Sequence, residues 1–174
     1  LNHSVTEVAG LPVISLTETP MAGVNRIFKA IEDYTLATLF LIVASPVMAL
    51  IAIGVKISSP GPVFYRQQRV TWNGENFEML KFRTMADGAE AQKSALAARN
   101  EADGGLFKIK DDPRITRVGS RLRRISLDEL PQLLNVLRGD MALVGPRPLV
   151  LDEDSRIEGW RRSRLQLPPG MTGP

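Results

Sequence analysis

The chain has 174 residues, a formal net charge of +3, no cysteine and one histidine, His3. The absence of cysteine excludes a disulfide framework, thiolate metal sites, iron–sulfur clusters and a cysteine nucleophile, and a lone histidine at the chain start leaves carboxylates to carry any acid, base or nucleophilic work. The basic balance points to anionic partners, but aromatics make up only 6% and no basic patch is interleaved with rings, so no nucleic-acid surface is expected.

Residues 1–25 hold one strand-like patch, Pro12-Val13-Ile14-Ser15-Leu16, and read as the end of a preceding domain plus a linker. The chain starts at Leu1 and stops within Leu167–Pro174, which reads as a piece of a longer protein.

From Tyr34 to Val55 no residue is charged, and the run from Leu36 to Ile53 is apolar almost throughout. About 20 such residues suffice to cross a bilayer. A helix apolar on every side inside a soluble core needs walls all round, and the mostly polar remainder does not supply them. Ser45-Pro46 falls in the middle of the run. Proline there removes a backbone donor and crowds the preceding turn, at about 3 kcal/mol or more in a straight helix, so a kink is expected, with Ser45 able to bond a freed carbonyl. Both flanks are basic, with Arg26 and Lys29 before the run and Lys56, Arg66 and Arg69 after it. Cytoplasmic flanks carry the excess of Lys and Arg, so the pattern favours a helix over residues 26–57 that enters, bends at Pro46 and returns.

Ser58-Ser59-Pro60-Gly61-Pro62 is a breaker, and Asn73-Gly74 between Val63–Val70 and Glu75–Lys81 predicts a β-hairpin. Lys81-Phe82-Arg83-Thr84-Met85 then brings two cations together, either as an anion site or as a strand end with solvated charges. Asp87–Asn100 has high helix propensity and a weak apolar face, Leu106–Ile109 suits a short strand, and Ile115–Ile125 and Leu130–Leu137 suit helices.

Asp128 and Glu129 are adjacent, so on a helix they point about 100° apart and do not face each other across a substrate as a glycosidase pair does. Two readings stay open. Ser126-x-x-Glu129 matches a capping box, and Pro131 fits a first turn better if Asp128 is the cap. The alternative is catalysis, at a helix N-terminus whose free N–H groups favour a phosphate. Asp140, Asp111 and Asp112 keep metal binding open, and oxygen donors without His or Cys point to Mg²⁺. Arg147 stands between Pro146 and Pro148, which restrict the backbone and lower the entropy cost of presenting a guanidinium to a phosphate; a rigid turn with an exposed arginine is the alternative.

Taken together, Ser45-Pro46 in an apolar helix, Lys81-Phe82-Arg83-Thr84-Met85, Asp112-Pro113-Arg114, Ser126-Leu127-Asp128-Glu129-Leu130-Pro131-Gln132, Asn135-Val136-Leu137-Arg138-Gly139-Asp140-Met141 and Val144-Gly145-Pro146-Arg147-Pro148-Leu149 resemble the bacterial sugar transferase family, the monotopic polyprenyl-phosphate phosphoglycosyl transferases, over about residues 24–174. The resemblance implies an α+β, mainly helical fold, with a kinked re-entrant membrane helix and a small cytoplasmic catalytic domain, residues 58–174, that contains a β-hairpin. It implies transfer of a sugar 1-phosphate from a UDP-sugar to undecaprenyl phosphate at the bacterial cytoplasmic membrane, with release of UMP, to begin an exopolysaccharide, capsule or other surface glycan. It also implies that Asp128 is the nucleophile forming an aspartyl phosphosugar, that Glu129 assists with Mg²⁺ or proton handling, that Arg147 binds phosphate, and that Lys81, Arg83 and Arg124 are cationic helpers. Membrane lipid is an implied partner, and self-association into a homo-oligomer stays open. The family pattern continues beyond Thr172-Gly173, so nucleotide contacts there fall outside this chain. A membrane-attached scaffold in which Asp128 only caps a helix is the competing reading, and a metal-dependent phosphohydrolase is a third.

Overall fold

The structure is a computed structural model that describes residues 5–8, 11–14, 23–89, 91, 92, 109, 112–155, 157 and 159–173. In chain order its elements are β1 (Val5–Val8), β2 (Leu11–Ile14), α1 (Val24–Ser58), β3 (Phe64–Val70), β4 (Asn76–Phe82), α2 (Arg117–Arg124), α3 (Gln132–Arg138), β5 (Ala142–Val144), α4 (Leu151–Asp154) and β6 (Gly170–Thr172). The strands pair two by two: β1 with β2 and β3 with β4 antiparallel, β5 with β6 parallel. The mixed class, the long apolar helix and the hairpin agree with expectation. The pairing of β1 with β2 was not foreseen from the patch at residues 12–16. Most of the helix expected over 87–100, and the strand expected at 106–109 apart from Ile109, lie outside the described residues.

Helix α1 runs 35 residues without interruption through Pro46. The carbonyl that the missing Pro46 N–H would have bonded belongs to Ile42, and the Ser45 hydroxyl donates to it at 2.8 Å. Thr35 and Thr38 hydroxyls likewise donate to the Ile31 and Tyr34 carbonyls, both at 2.7 Å, so the polar groups of this apolar helix are absorbed by its own backbone. The helix stops where proline dictates. Ser59, which precedes Pro60, is extended at φ −160° and ψ 138°, the conformation favoured before proline.

One stripe of α1 packs inward: Asp33, Ala37, Ile51 and Val55 are buried. Ala37 joins a core cluster with Phe77, Met79, Leu133, Val136 and Met141, and Ile51 and Val55 join another with Phe82 and Leu122. The other sides carry large apolar groups with nothing over them; Leu50 is 70% exposed and Ile57 80%. Only 11% of the most apolar stretch is buried, which a core helix of a soluble protein would not tolerate. Such a helix is consistent with membrane association.

The β3–β4 ladder runs in register from Phe64↔Phe82 to Val70↔Asn76, with a 3₁₀ turn at Trp72–Gly74. Alternation puts Tyr65, Gln67 and Arg69 on one face beside Lys81, Met79 and Phe77. On the edge of β4 away from β3, Asn135 takes the place of a strand. Fully buried, its amide accepts from the Leu80 N–H at 2.9 Å and donates to the Glu78 carbonyl at 2.7 Å. The amide also donates to Asp140 Oδ2 at 3.0 Å, which fixes the turn after α3.

The parallel pair β5–β6 depends on glycine. A Cβ on Gly170 would lie 2.1 Å from the Gly145 nitrogen, and one on Gly145 would lie 2.4 Å from the Pro168 carbonyl, so neither position accepts a side chain without moving backbone.

Candidate active site

Asp128 sits in a 3₁₀ turn, Leu127–Glu129, between α2 and α3. Ser126 enters that turn in the left-handed region, φ 57°, a conformation that costs a non-glycine residue about 1–2 kcal/mol and persists only where the surroundings enforce it. Neither capping reading holds: Ser126 makes no side-chain cap bond, and α3 starts behind Pro131 with no side-chain cap. Asp128 is therefore free of the structural task that competed with catalysis. It is 8% exposed, and among the described residues no side chain donates a hydrogen bond to it. Burial pushes its pKa above the ordinary carboxylate value, with Lys81 pulling the other way.

Glu129 is placed differently: its Oε1 accepts from Lys81 Nζ at 2.6 Å. This ion pair stands between two cavities. The larger, about 640 Å³, is lined by Asp128, Arg123, Thr84 and Tyr65, the smaller, about 370 Å³, by Arg147, Arg69, Gln132 and the residues of β6, and Lys81 and Glu129 line both. The site thus joins a buried carboxylate, a carboxylate–ammonium pair and the guanidinium groups of Arg123, Arg69 and Arg147. The C-terminal segment 170–173 supplies one wall.

Of the residues picked from sequence, Asp128, Glu129, Lys81 and Arg147 converge here. Arg83 lines the larger cavity, but its guanidinium is committed to the end of α1, donating to the Ser59 carbonyl at 2.6 Å and the Pro60 carbonyl at 2.7 Å. Arg124 is exposed and lines neither cavity; its neighbour Arg123 does, with Nε donating to Thr84 Oγ1 at 2.8 Å. Helix periodicity explains the exchange. Gly119 lies so close to Thr84 that a Cβ would meet its carbonyl oxygen at 2.0 Å, and Arg123, one turn later at i+4, falls on the same face. Arg69 and Gln132 were not picked either. Strand parity with Lys81 across the hairpin would have found Arg69; nothing local marks Gln132.

The acids that kept a larger metal cluster open have other work. Asp112 is locked to Arg114 at 2.6 Å in a buried pair that holds its pKa below the ordinary range, and Asp140 accepts from Asn135. Asp111 lies outside the described residues. No group of three or more metal-binding side chains occurs among the described residues. A Mg²⁺ ion held by one or two carboxylates and completed by substrate phosphates remains compatible with Asp128 and Glu129, which both face the larger cavity.

Residues 24–174 match the family described as bacterial sugar transferase. The chain is 44% identical over 177 residues to the UDP-glucose:undecaprenyl-phosphate glucose-1-phosphate transferase of Escherichia coli K12, an alignment covering 99% of this chain and 36% of that protein. Over 179 residues it is 44% identical to the exopolysaccharide production protein ExoY of Sinorhizobium fredii, covering 98% of this chain and 76% of the relative. It is also 46% identical over 155 residues to the undecaprenyl-phosphate galactose phosphotransferase of Salmonella typhimurium, covering 86% and 32%. The chain thus spans about a third of the length of the first and last of these relatives.

Proposed function

The chain belongs to the bacterial sugar transferase family, and from that premise we propose that it moves a sugar 1-phosphate from a UDP-sugar onto undecaprenyl phosphate through a covalent intermediate on Asp128. The observation that carries this reading is the state of Asp128: buried, unpartnered by any described side chain, and open to a cavity bordered by Lys81 and Glu129. A solvated carboxylate is a weak nucleophile toward a diphosphate, because both are anions. Desolvation raises its reactivity, and Lys81, Arg123 and Arg147 offset the repulsion.

In the first displacement an Asp128 carboxylate oxygen bonds to the sugar-bearing phosphorus, and the bond from that phosphorus to the nucleotide oxygen breaks, its electron pair leaving with UMP. In the second, an oxygen of the lipid phosphate attacks the aspartyl phosphosugar and restores the free carboxylate. Asp128 and Glu129 would hold Mg²⁺, which supplies charge neutralisation for the substrate phosphates. Lys81 keeps Glu129 oriented beside the reacting carboxylate, and Arg147, on its proline-restricted turn, presents a guanidinium to phosphate.

The same reading makes α1 a monotopic anchor in the bacterial cytoplasmic membrane, entering and leaving on the cytoplasmic side. Its support is packing. Asp33, near one end, accepts from the Leu143 N–H at 3.3 Å, and Val55, near the other, packs on Phe82 and Leu122. The 22 helical steps from Asp33 to Val55 rise about 33 Å at about 1.5 Å each, about the hydrocarbon thickness. A spanning helix would drag the polar domain into the bilayer with it.

The test is Asp128→Asn in the intact protein in lipid. UMP release from a UDP-sugar should fall by about three orders of magnitude or more, as expected when a nucleophile is removed. Retained turnover would sink the covalent mechanism, and a parent protein without turnover would favour the scaffold reading. Free sugar phosphate formed without a lipid acceptor would instead favour a phosphohydrolase.

A further inference from the structure

We propose that Arg69 is a substrate ligand that, together with Arg147, holds the phosphate of the departing nucleotide on the side of the Lys81–Glu129 pair away from Asp128. The inference rests on the nucleotide-sugar reading above and adds to it the residue that receives the leaving group.

Arg69 is 7% exposed on β3, yet no described carboxylate pairs with it directly, Glu153 and Glu129 acting on it only through space. Its Nε and Nη2 donate to Gln67 Oε1 at 3.2 and 2.8 Å, and its Nη1 donates to the Pro148 carbonyl at 3.0 Å. All three bonds end on neutral oxygens. A buried cation paired only with dipoles is unfavourable unless a counter-ion arrives. Arg147 aggravates the imbalance, because it lines the same cavity and its guanidinium forms no ion pair among the described residues. Burial first, and Arg147 second, pull the Arg69 pKa below the usual guanidinium value. Gln132 gives an independent sign. It is 3% exposed, lines this cavity, and its amide has no hydrogen-bond partner among the described residues. A buried cation without an ion-pair partner, the exposed guanidinium of Arg147 and an idle amide around one cavity of about 370 Å³ describe a site for an anion with further acceptor atoms.

Position assigns the anion. Asp128 faces only the larger cavity, Arg69 and Arg147 only the smaller, and Lys81 and Glu129 border both. In-line displacement puts the leaving oxygen on the side of phosphorus opposite the nucleophile. A phosphorus beside Lys81 and attacked from Asp128 therefore expels its leaving group toward Arg69. As the Asp128–phosphorus bond forms and the bond to the nucleotide breaks, the electron pair settles on the nucleotide phosphate, which needs no proton if two guanidiniums receive it.

The probes are UMP and inorganic pyrophosphate, titrated calorimetrically against the intact protein in detergent. Arg69→Gln should weaken UMP binding by about ten-fold or more, and Arg69→Lys, which keeps the charge and loses the fork, by less. Arg66→Gln, the charge-matched change on the exposed face of the same strand, should leave it unchanged. Because Arg69 also bonds the Pro148 carbonyl, Arg69→Gln is repeated in an Arg147→Gln background. A further loss there supports direct contact, and no further loss overturns it in favour of mere support for the Arg147 turn. Binding of UMP to a normally folded Arg69→Gln protein within about two-fold of the parent would also overturn the proposal. If the parent binds pyrophosphate in an Arg69-dependent way but not UMP, the anion site stands and the nucleotide reading falls. If it binds neither, both fall.

Discussion

Asp128 sets two opposing demands on one side chain. Its pKa is raised by burial, so the folded state favours the protonated form relative to the unfolded chain. Stability from this group is therefore unaffected below the unfolded pKa, and declines as pH rises from there toward the folded pKa. At neutral pH the ionised carboxylate is a net cost to the fold. Asp128→Asn should accordingly raise the melting temperature at pH 7 while removing turnover, and a differential scanning measurement at pH 7 and again near pH 4 should find the gain shrinking at the lower pH. Under the proposed mechanism activity follows the opposite sign, since attack by Asp128 would need the ionised form. With kcat/KM measured between pH 4 and 8, the acid limb should fall at a higher pH than the value of about 3.9 for a solvated aspartate. An acid limb at or below that value would remove burial as the source of reactivity.

Among the elements, the β3–β4 hairpin does most to assemble the site, and Asn135 on α3 is the side chain that fastens it. Asn135→Ala leaves the buried Leu80 N–H and Glu78 carbonyl without partners, and unsatisfied buried groups cost about 1–3 kcal/mol each. The expected loss is about 2–6 kcal/mol, read as a lower midpoint in thermal or denaturant unfolding. Asn135→Asp keeps the acceptor for Leu80 but sets a charge against the Glu78 carbonyl, and should be worse than a half repair. What was legible at this scale was whatever the sequence states locally. The hairpin follows from Asn73-Gly74 and the period of its strands, and the end of α1 follows from Pro60. The β5–β6 pair was not legible, because three-residue strands 28 positions apart, Ala142 opposite Gly170, leave no periodic signal. The capping box was misleading for a related reason: its Ser-x-x-Glu spacing is local, whereas the left-handed turn at Ser126 is imposed by packing.

Across the whole molecule, α1 and the site share a frame. The hairpin tip meets the start of the helix, where the Arg26 guanidinium lies 4.1 Å from the Trp72 ring centre, and Arg83 clamps the helix end, two residues from Lys81. Cysteines placed at Asn25 and Ser58, both exposed, should react with an impermeant maleimide from the cytoplasmic side only. The chain has no native cysteine to confuse the result. Opposite-side labelling would establish a span and would also contradict the packing of Asp33 and Val55 on one domain. Arg83 marks the limit of sequence reading at this scale. The motif drew attention to it as a cation near phosphate, but its partners, the carbonyls of residues 59 and 60, are distant in sequence and adjacent only once the helix is laid down.

The Asn135 amide on β4 has one more effect. A two-stranded ladder presents an unpaired row of donors and acceptors on each outer edge, and a membrane surface crowds copies of the same chain into two dimensions, where edges meet often. With its Leu80 and Glu78 groups already taken by a side chain and roofed by α3, the outer edge of β4 offers no template there for a strand from another molecule. The hairpin can thus stand at high local density without growing into a shared sheet.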